Sequence, residues 1–309
     1  MSLYSSVQKI HPHFLFYLVL TLILVSCTPS IGTEEVSPPI EKIATPSQSE
    51  VNPIAGPLGP VLIPDPNLCT DVGGKVLEQE IPTRRLEQPM LIKVYLPPCY
   101  ESTPQREYPV LLMLHGQNDT YGQWERLGIF TEMDTLLLEE RIQPFIVVLP
   151  YELNTLVDSG SSEYGEALIK EGIPYLQEHF NTCQTRTCWA IGGLSRGGNW
   201  ALHLGFTHPQ LFSAVGAHSA PLFYGEISNI TKIMSKEDSI LELPNFYIDV
   251  GNKDPDRQDT LSFVSLLKKF SIPFDFTEFI GYHQEDYWNT HVQDYLVWYS
   301  SQFVVSPNE

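Results

Sequence analysis

Positive charge is scarce in this chain. Lys and Arg number 18 against 37 Asp and Glu, for a formal charge of −19. Residues 1–26 hold one Lys and no Arg, Asp or Glu, so without them the balance is 17 against 37, or −20. An acidic surface repels phosphate backbones and anionic headgroups, which excludes nucleic acid as a partner and says nothing against a neutral substrate. Cysteine is also sparse, at five. No Cys-x-x-Cys pair and no His cluster accompanies them, so the sequence implies no metal site, and no metal or organic cofactor is expected. Beyond Val25 no stretch is long and apolar enough to span a bilayer. No internal repeat divides the chain, and 309 residues allow one large domain with appendages.

The apolar run that is present, Phe14 to Val25, has the length of an export-signal core and is short for a membrane span. Lys9 supplies a weak positive region before it. It ends in Leu24-Val25-Ser26-Cys27, which resembles a bacterial lipobox, in which the cysteine is lipidated and becomes the first mature residue. The expectation is a signal peptide over 1–26 and a protein exported to the periplasmic or extracellular face. A lipid anchor at Cys27 would hold it to the membrane. Residues 28–66 carry nine of the 25 prolines and no apolar period, and so read as a solvated, partly polyproline-like linker. At ~3 Å per residue it reaches on the order of 100 Å, enough to hold a folded domain over 67–309 away from a membrane. Four cysteines remain. An even number in an exported chain points to disulfides, and proximity favours Cys183–Cys188 and Cys69–Cys99 over four free thiols.

Continuous apolar runs mark strands buried on both faces: Val110–Leu114, Phe145–Leu149, Cys188–Ile191 and Asn245–Val250. Lys75–Pro82, Met90–Leu96 and Phe274–Phe279 also read as strands. Helical patterns alternate with them over Phe130–Glu140, Glu163–Phe180, Asn199–Thr207, Thr260–Phe270 and Thr290–Phe303. Such alternation predicts an α/β fold with a mainly parallel sheet covered on both faces.

Gly193-Leu194-Ser195-Arg196-Gly197 stands between a predicted strand and a predicted helix. The bare Gly-x-Ser-x-Gly pattern arises by chance in roughly one chain in ten of this length, but between a strand and a helix it is a nucleophile elbow. The tight turn projects the serine oxygen, and small flanking residues let it close. A serine nucleophile needs a base, an acid that orients the base, and donors for the oxyanion. In this arrangement acid and base follow the serine in that order. Asp254 sits in the turn after the strand ending at Val250, and His283 in the turn after the strand ending at Phe279. Both are at carboxyl ends of strands, where open α/β sheets place their sites. Asp249 falls inside the strand, Asp256 lies one turn too far, and His291 opens a helical pattern. His203 and His208 belong to the helix behind the serine, and His179 ends an earlier one. His115-Gly116-Gln117 follows an early strand, where a second oxyanion donor is expected, with His115 packing behind the hole.

Tyr108-Pro109-Val110-Leu111-Leu112-Met113-Leu114-His115-Gly116, with Trp124 after it, resembles the opening of the esterase family that groups esterase D, feruloyl esterases and enterochelin esterases. Glu171-Gly172-Ile173-Pro174-Tyr175, Gly193-Leu194-Ser195-Arg196-Gly197-Gly198 and His208-Pro209-Gln210-Leu211-Phe212 continue the pattern in order. Gly251-Asn252-Lys253-Asp254 and Gly281-Tyr282-His283-Gln284-Glu285-Asp286-Tyr287-Trp288 complete it, over about residues 75–303. The resemblance implies an α/β-hydrolase fold, a Ser195–Asp254–His283 triad and oxyanion N–H groups on Gln117 and Arg196. Tyr282 stands where family members often carry glycine, and so does Cys99, in keeping with an added disulfide. The implied substrates are small-molecule or polysaccharide esters, such as acyl or feruloyl esters of carbohydrates or siderophore-type esters. Acyl transfer of the mycolyltransferase type would use the same triad. A non-catalytic surface module would need no triad. Asn118, Tyr121, Trp124, Tyr287 and Trp288 are candidate substrate contacts, although aromatic residues are equally core material. Residues 220–243, of weak periodicity, read as a rim or lid.

Overall fold

The computed structural model describes residues 69–157, 159–235 and 243–304. The predicted signal peptide, Cys27, the linker and residues 236–242 of the predicted rim lie outside the described residues. Among the described residues no helix is long and apolar enough to cross a membrane.

Two antiparallel strands, β1 (Lys75–Ile81) and β2 (Met90–Leu96), open the sheet, followed by β3 (Val110–Leu114). Helices α1 (Gln123–Arg126) and α2 (Ile129–Leu138) lead to β4 (Ile146–Pro150). Next come α3 (Tyr164–Ala167), a π-helical turn over Leu168–Gly172, and α4 (Ile173–His179). Then follow β5 (Trp189–Leu194), α5 (Arg196–Thr207), β6 (Ala214–His218), α6 (Glu226–Met234) and β7 (Asn245–Gly251). The chain closes with α7 (Arg257–Lys269), β8 (Phe274–Phe279) and α8 (Glu285–Gln302). The eight strands lie in the order β1-β2-β4-β3-β5-β6-β7-β8. β2 runs antiparallel to both its neighbours, and every other pairing is parallel.

The burial of each strand follows its place in the sheet. Every residue of β3, β4, β5 and β6 is buried, as both faces of a parallel sheet require. The edge strands β1 and β8 carry exposed polar residues instead. One apolar layer packs Trp200, Leu204, Phe263 and Leu267 beneath the sheet. The other packs Trp124, Met133, Tyr295 and Leu296 on the opposite face.

The expected architecture is present, with local departures. Helices α1 and α6 were not expected, and α6 lies within residues 220–243, read as a rim or lid. The periodicity over Glu163–Phe180 predicts one helix, but a π-helical turn interrupts it just before Pro174. Proline has no N–H to offer residue 170, so the regular ladder resets there. Strand β6 was not expected, because Ala-Val-Gly-Ala-His has one large aliphatic residue. Its small residues are what the packing demands. Gly216 pairs with Gly192, and a Cβ on either would sit 1.7 Å from the Tyr299 hydroxyl that crosses them. Helix α8 begins at Glu285 rather than Thr290, which draws Tyr287 and Trp288 into its first turn.

Both disulfides link the expected partners. Cys69 joins Cys99 and Cys183 joins Cys188, with Cα–Cα separations of 5.5 and 5.9 Å. The first ties the start of the described domain to the turn after β2. The second closes a short loop just before β5.

Candidate active site

Ser195 occupies the turn between β5 and α5 with φ 51° and ψ −121°, a conformation that costs a non-glycine residue energy. The surroundings enforce it. The Ser195 N–H donates to the His218 carbonyl at 2.9 Å, and its carbonyl accepts the Asn199 N–H at 3.1 Å. α5 presses so closely on β3 that a Cβ at Gly197 would lie 2.2 Å from the Leu114 carbonyl oxygen. The glycines of the motif are therefore needed for that approach, and the strained turn aims the hydroxyl outward.

His283 lies in the turn between β8 and α8. The Ser195 hydroxyl donates to its Nε2 at 2.9 Å, and its Nδ1–H donates to Asp254 Oδ2 at 2.9 Å. That hydrogen bond selects the tautomer with a free lone pair facing the serine. The His283 side chain is 21% exposed and that of Asp254 is fully buried. Burial by itself raises the Asp254 carboxyl. The His283 hydrogen bond and charge and the Asp256 N–H at 2.7 Å outweigh it and hold Asp254 below the ordinary value of 3.8. The edge of Trp288 packs against the imidazole with ring centroids 5.0 Å apart, fixing its plane.

Asp256 is nearer than its position along the chain implies. Its Oδ2 lies 3.6 Å from His283 Nδ1, because the turn after Asp254 folds back on itself. Burial, followed by the neighbouring Asp254 charge, raises this carboxyl. Asp249, the other acid considered, faces away from the triad. Fully buried, it accepts hydrogen bonds from Tyr287 Oη at 2.6 Å and Tyr295 Oη at 3.0 Å, and pairs with His218 Nδ1 at 2.5 Å.

The Arg196 N–H is at the first turn of α5, where the helix dipole favours negative charge. The Gln117 N–H is on the loop after β3. That loop is pinned by the Gly116 N–H to Gln123 Oε1 at 2.8 Å and the Asn118 N–H to Thr155 Oγ1 at 3.3 Å. Among the described residues neither the Gln117 nor the Arg196 N–H is donated to another group. His115 packs behind the loop as expected. Its Nδ1–H donates to the Gly116 carbonyl and its Nε2 accepts the Glu152 N–H, while burial pushes its ring down from the ordinary value of 6.5.

The candidate substrate contacts separate. Trp124 is a core residue, donating its indole N–H to the Leu114 carbonyl at 2.9 Å. Tyr287 is likewise core, held by Asp249. Trp124 lies in the short helix α1 and Tyr287 in the first turn of α8, and both are buried, so they pack beneath the site. Trp288 is buried but walls the base. Tyr121 is half-buried against Tyr151, and Asn118 is exposed with φ 63° beside the oxyanion loop.

Among the described residues two groups offer three ligand atoms within 4.8 Å of one another: Cys69, Asp71 and Cys99, and Asp254, Asp256 and His283. The sulfurs of the first are joined to each other. In the second, a cation would have to displace the proton that His283 donates to Asp254.

A serine held in a strained strand–helix turn, with a histidine and a buried aspartate in line, defines a serine hydrolase of the α/β-hydrolase fold. Residues 83–299, more than half the chain, match the family model described as "Putative esterase", and the chain belongs to that family. It is 32% identical over 145 residues to an endo-1,4-beta-xylanase/feruloyl esterase of Xylanibacter ruminicola, a match covering 43% of this chain and 20% of that protein. The chain thus spans about a fifth of that relative. Among solved structures it is similar to a ferulic acid esterase at TM-score 0.70 and 26% identity, covering 76% of this chain and 100% of that one. It also shares the fold of a feruloyl esterase module from Clostridium thermocellum complexed with sinapinate. That match has TM-score 0.66 and 15% identity, over 79% of this chain and 94% of that one.

Proposed function

We propose that this chain is an exported serine carboxylic ester hydrolase acting on acyl or feruloyl esters of carbohydrates. The observation that carries the chemistry is the unbroken hydrogen-bonded line from Ser195 Oγ through His283 to Asp254, 2.9 Å at each step. His283 Nε2 takes the hydroxyl proton as Ser195 Oγ attacks the ester carbonyl, while Asp254 stabilises the imidazolium. The Gln117 and Arg196 N–H groups receive the oxyanion. Collapse expels the alcohol, which takes its proton from His283, and leaves an acyl group on Ser195. Water, deprotonated by His283, then releases the acid and restores the serine.

The surroundings favour a large, ring-bearing substrate. Ser195 is at the carboxyl edge of the sheet, and the loops leaving β4, β6 and β8 at that edge carry exposed apolar and aromatic side chains. Tyr224 is 96% exposed and Tyr282, beside the base, is 50% exposed. Leu153, Leu156 and Ile280 are exposed on the same loops. Planar faces in open positions suit stacking on sugar or phenolic rings. The relatives that carry feruloyl esterase names point to the same chemistry. The test is a panel of acetyl, butyryl and feruloyl esters, with an alcohol acceptor in parallel. The expected result is release of free acid, with sugar-linked feruloyl or acyl esters turned over best. Transfer to the acceptor without net hydrolysis would make the protein an acyltransferase, and no turnover of any ester by folded protein would end the reading.

We also propose that the chain is a lipoprotein anchored through Cys27, on the strength of the apolar run and lipobox-like tetrad before it. Expressed in a bacterium, the native chain is expected in the membrane fraction, and Cys27→Ser is expected to lose that association. Equal membrane association of both would overturn the anchor.

A further inference from the structure

We infer that Glu152 is a positioning residue for the oxyanion hole. It ties the two loops that present the hole's N–H groups into one unit. The inference rests on the serine-hydrolase reading of Ser195.

The two donors come from separate parts of the fold. Gln117 follows β3, whereas Arg196 follows β5. Catalysis needs their N–H groups fixed relative to each other within a fraction of an ångström. Glu152, just beyond β4, is bonded to both loops. Its backbone N–H donates to His115 Nε2 at 2.9 Å, and His115 Nδ1–H donates to the Gly116 carbonyl at 2.8 Å, one residue before Gln117. Its carboxylate accepts Arg196 Nε at 2.8 Å and Nη2 at 2.6 Å, gripping the side chain of the residue whose own N–H is the second donor. Trp200 Nε1, one turn along α5, donates to the same carboxylate at 3.0 Å. Arg196 Nη2 also donates to the Val157 carbonyl at 2.8 Å, which holds the far side of the Glu152 loop.

Both charged residues are buried, Glu152 at 3% and Arg196 at 8% exposure. A buried ion pair contributes little to stability beyond what a well-packed apolar pair of similar volume would supply, because desolvation offsets the attraction. What the bidentate fork adds is direction: two parallel bonds fix the guanidinium plane, and with it the first turn of α5. An arginine beside the nucleophile whose guanidinium is buried against Glu152 and the Val157 carbonyl is accounted for by that geometric role.

The experiment compares the full-length protein with Glu152→Gln and with the double variant Glu152→Leu/Arg196→Met. The double variant leaves no unpaired buried charge and keeps the test valid if the single one does not fold. Substrates are a matched ester and thionoester, since sulfur accepts hydrogen bonds in the hole poorly and the ester/thionoester rate ratio reads the hole's geometry. The expectation is a fall in kcat of about 10- to 100-fold with KM within about threefold, and a matching fall in the ester/thionoester ratio, in variants that melt cooperatively. Folded variants with parental kcat and parental ratio would overturn the inference. Absence of any ester turnover by the parent would instead overturn the proposed function.

Discussion

Replacing Ser195 by Ala is expected to reduce ester turnover by about 10⁴-fold or more while leaving the protein folded and able to bind substrate. The reason lies in the unit nature of the triad. Without Oγ there is nothing for His283 Nε2 to deprotonate, and what remains is stabilisation by the Gln117 and Arg196 N–H groups acting on water's attack. Alanine lacks only the hydroxyl, so the turn with φ 51° and its anchoring bonds to His218 and Asn199 persist. Two readouts check this: steady-state turnover, and intact mass after treatment with a fluorophosphonate. The parent is expected to gain one covalent adduct and Ser195→Ala none. Turnover by the variant within tenfold of the parent would remove Ser195 from the mechanism.

Replacing Asp254 by Asn is expected to lower kcat by about 10³- to 10⁴-fold, because an amide can present its NH₂ to Nδ1 and stabilise the wrong tautomer. Asp256 modifies this outcome. Its carboxylate lies 3.6 Å from the same nitrogen, so it keeps some negative charge beside the imidazolium when Asp254 is gone. Asp254→Asn/Asp256→Asn is therefore expected to fall roughly tenfold below Asp254→Asn, while Asp256→Asn alone costs less than about threefold. Equal rates for the single and double Asp254 variants would show that Asp256 contributes no charge to the base. The acid-side stability separates the carboxylates further. Asp254 is held below 3.8 in the folded state, so its contribution to stability is present above the unfolded value and is lost as pH falls through the folded one. Asp256 is raised, so it takes up its proton first on acidification. Thermal denaturation as pH falls below 3.8 is expected to show a steeper loss of stability in the parent than in Asp254→Asn.

Much of the site is legible along the chain because its chemistry sits in short segments with strong local rules. The Gly-x-Ser-x-Gly turn is a backbone requirement: α5 reaches β3 only if position 197 lacks a Cβ. Asp254 and His283 follow from the rule that sites gather at carboxyl ends of parallel strands, and the strands themselves show as apolar runs. The local signal fails where a residue's role is set by what crosses it. β6 is poor in large apolar side chains because Tyr299 passes over its glycine. Trp124, close along the chain to the Gln117 loop, and Tyr287, close to His283, resemble substrate contacts by type and position, and are core in the structure, where α1 and α8 bury them.

The sequence by itself determined the α/β alternation apart from β6, the nucleophile turn and the chain order of acid and base, and it favoured both cysteine pairings that the structure contains. Each of these depends on periodicity, on turn chemistry or on nearness along the chain. Only the tertiary structure decided that Asp256 folds back beside His283, that Asp249 belongs to a tyrosine-lined core, and that Glu152 grips Arg196 from 44 residues away. Those are side-chain contacts between segments that meet only when the sheet assembles, and a buried charge finds its partner by packing rather than by spacing.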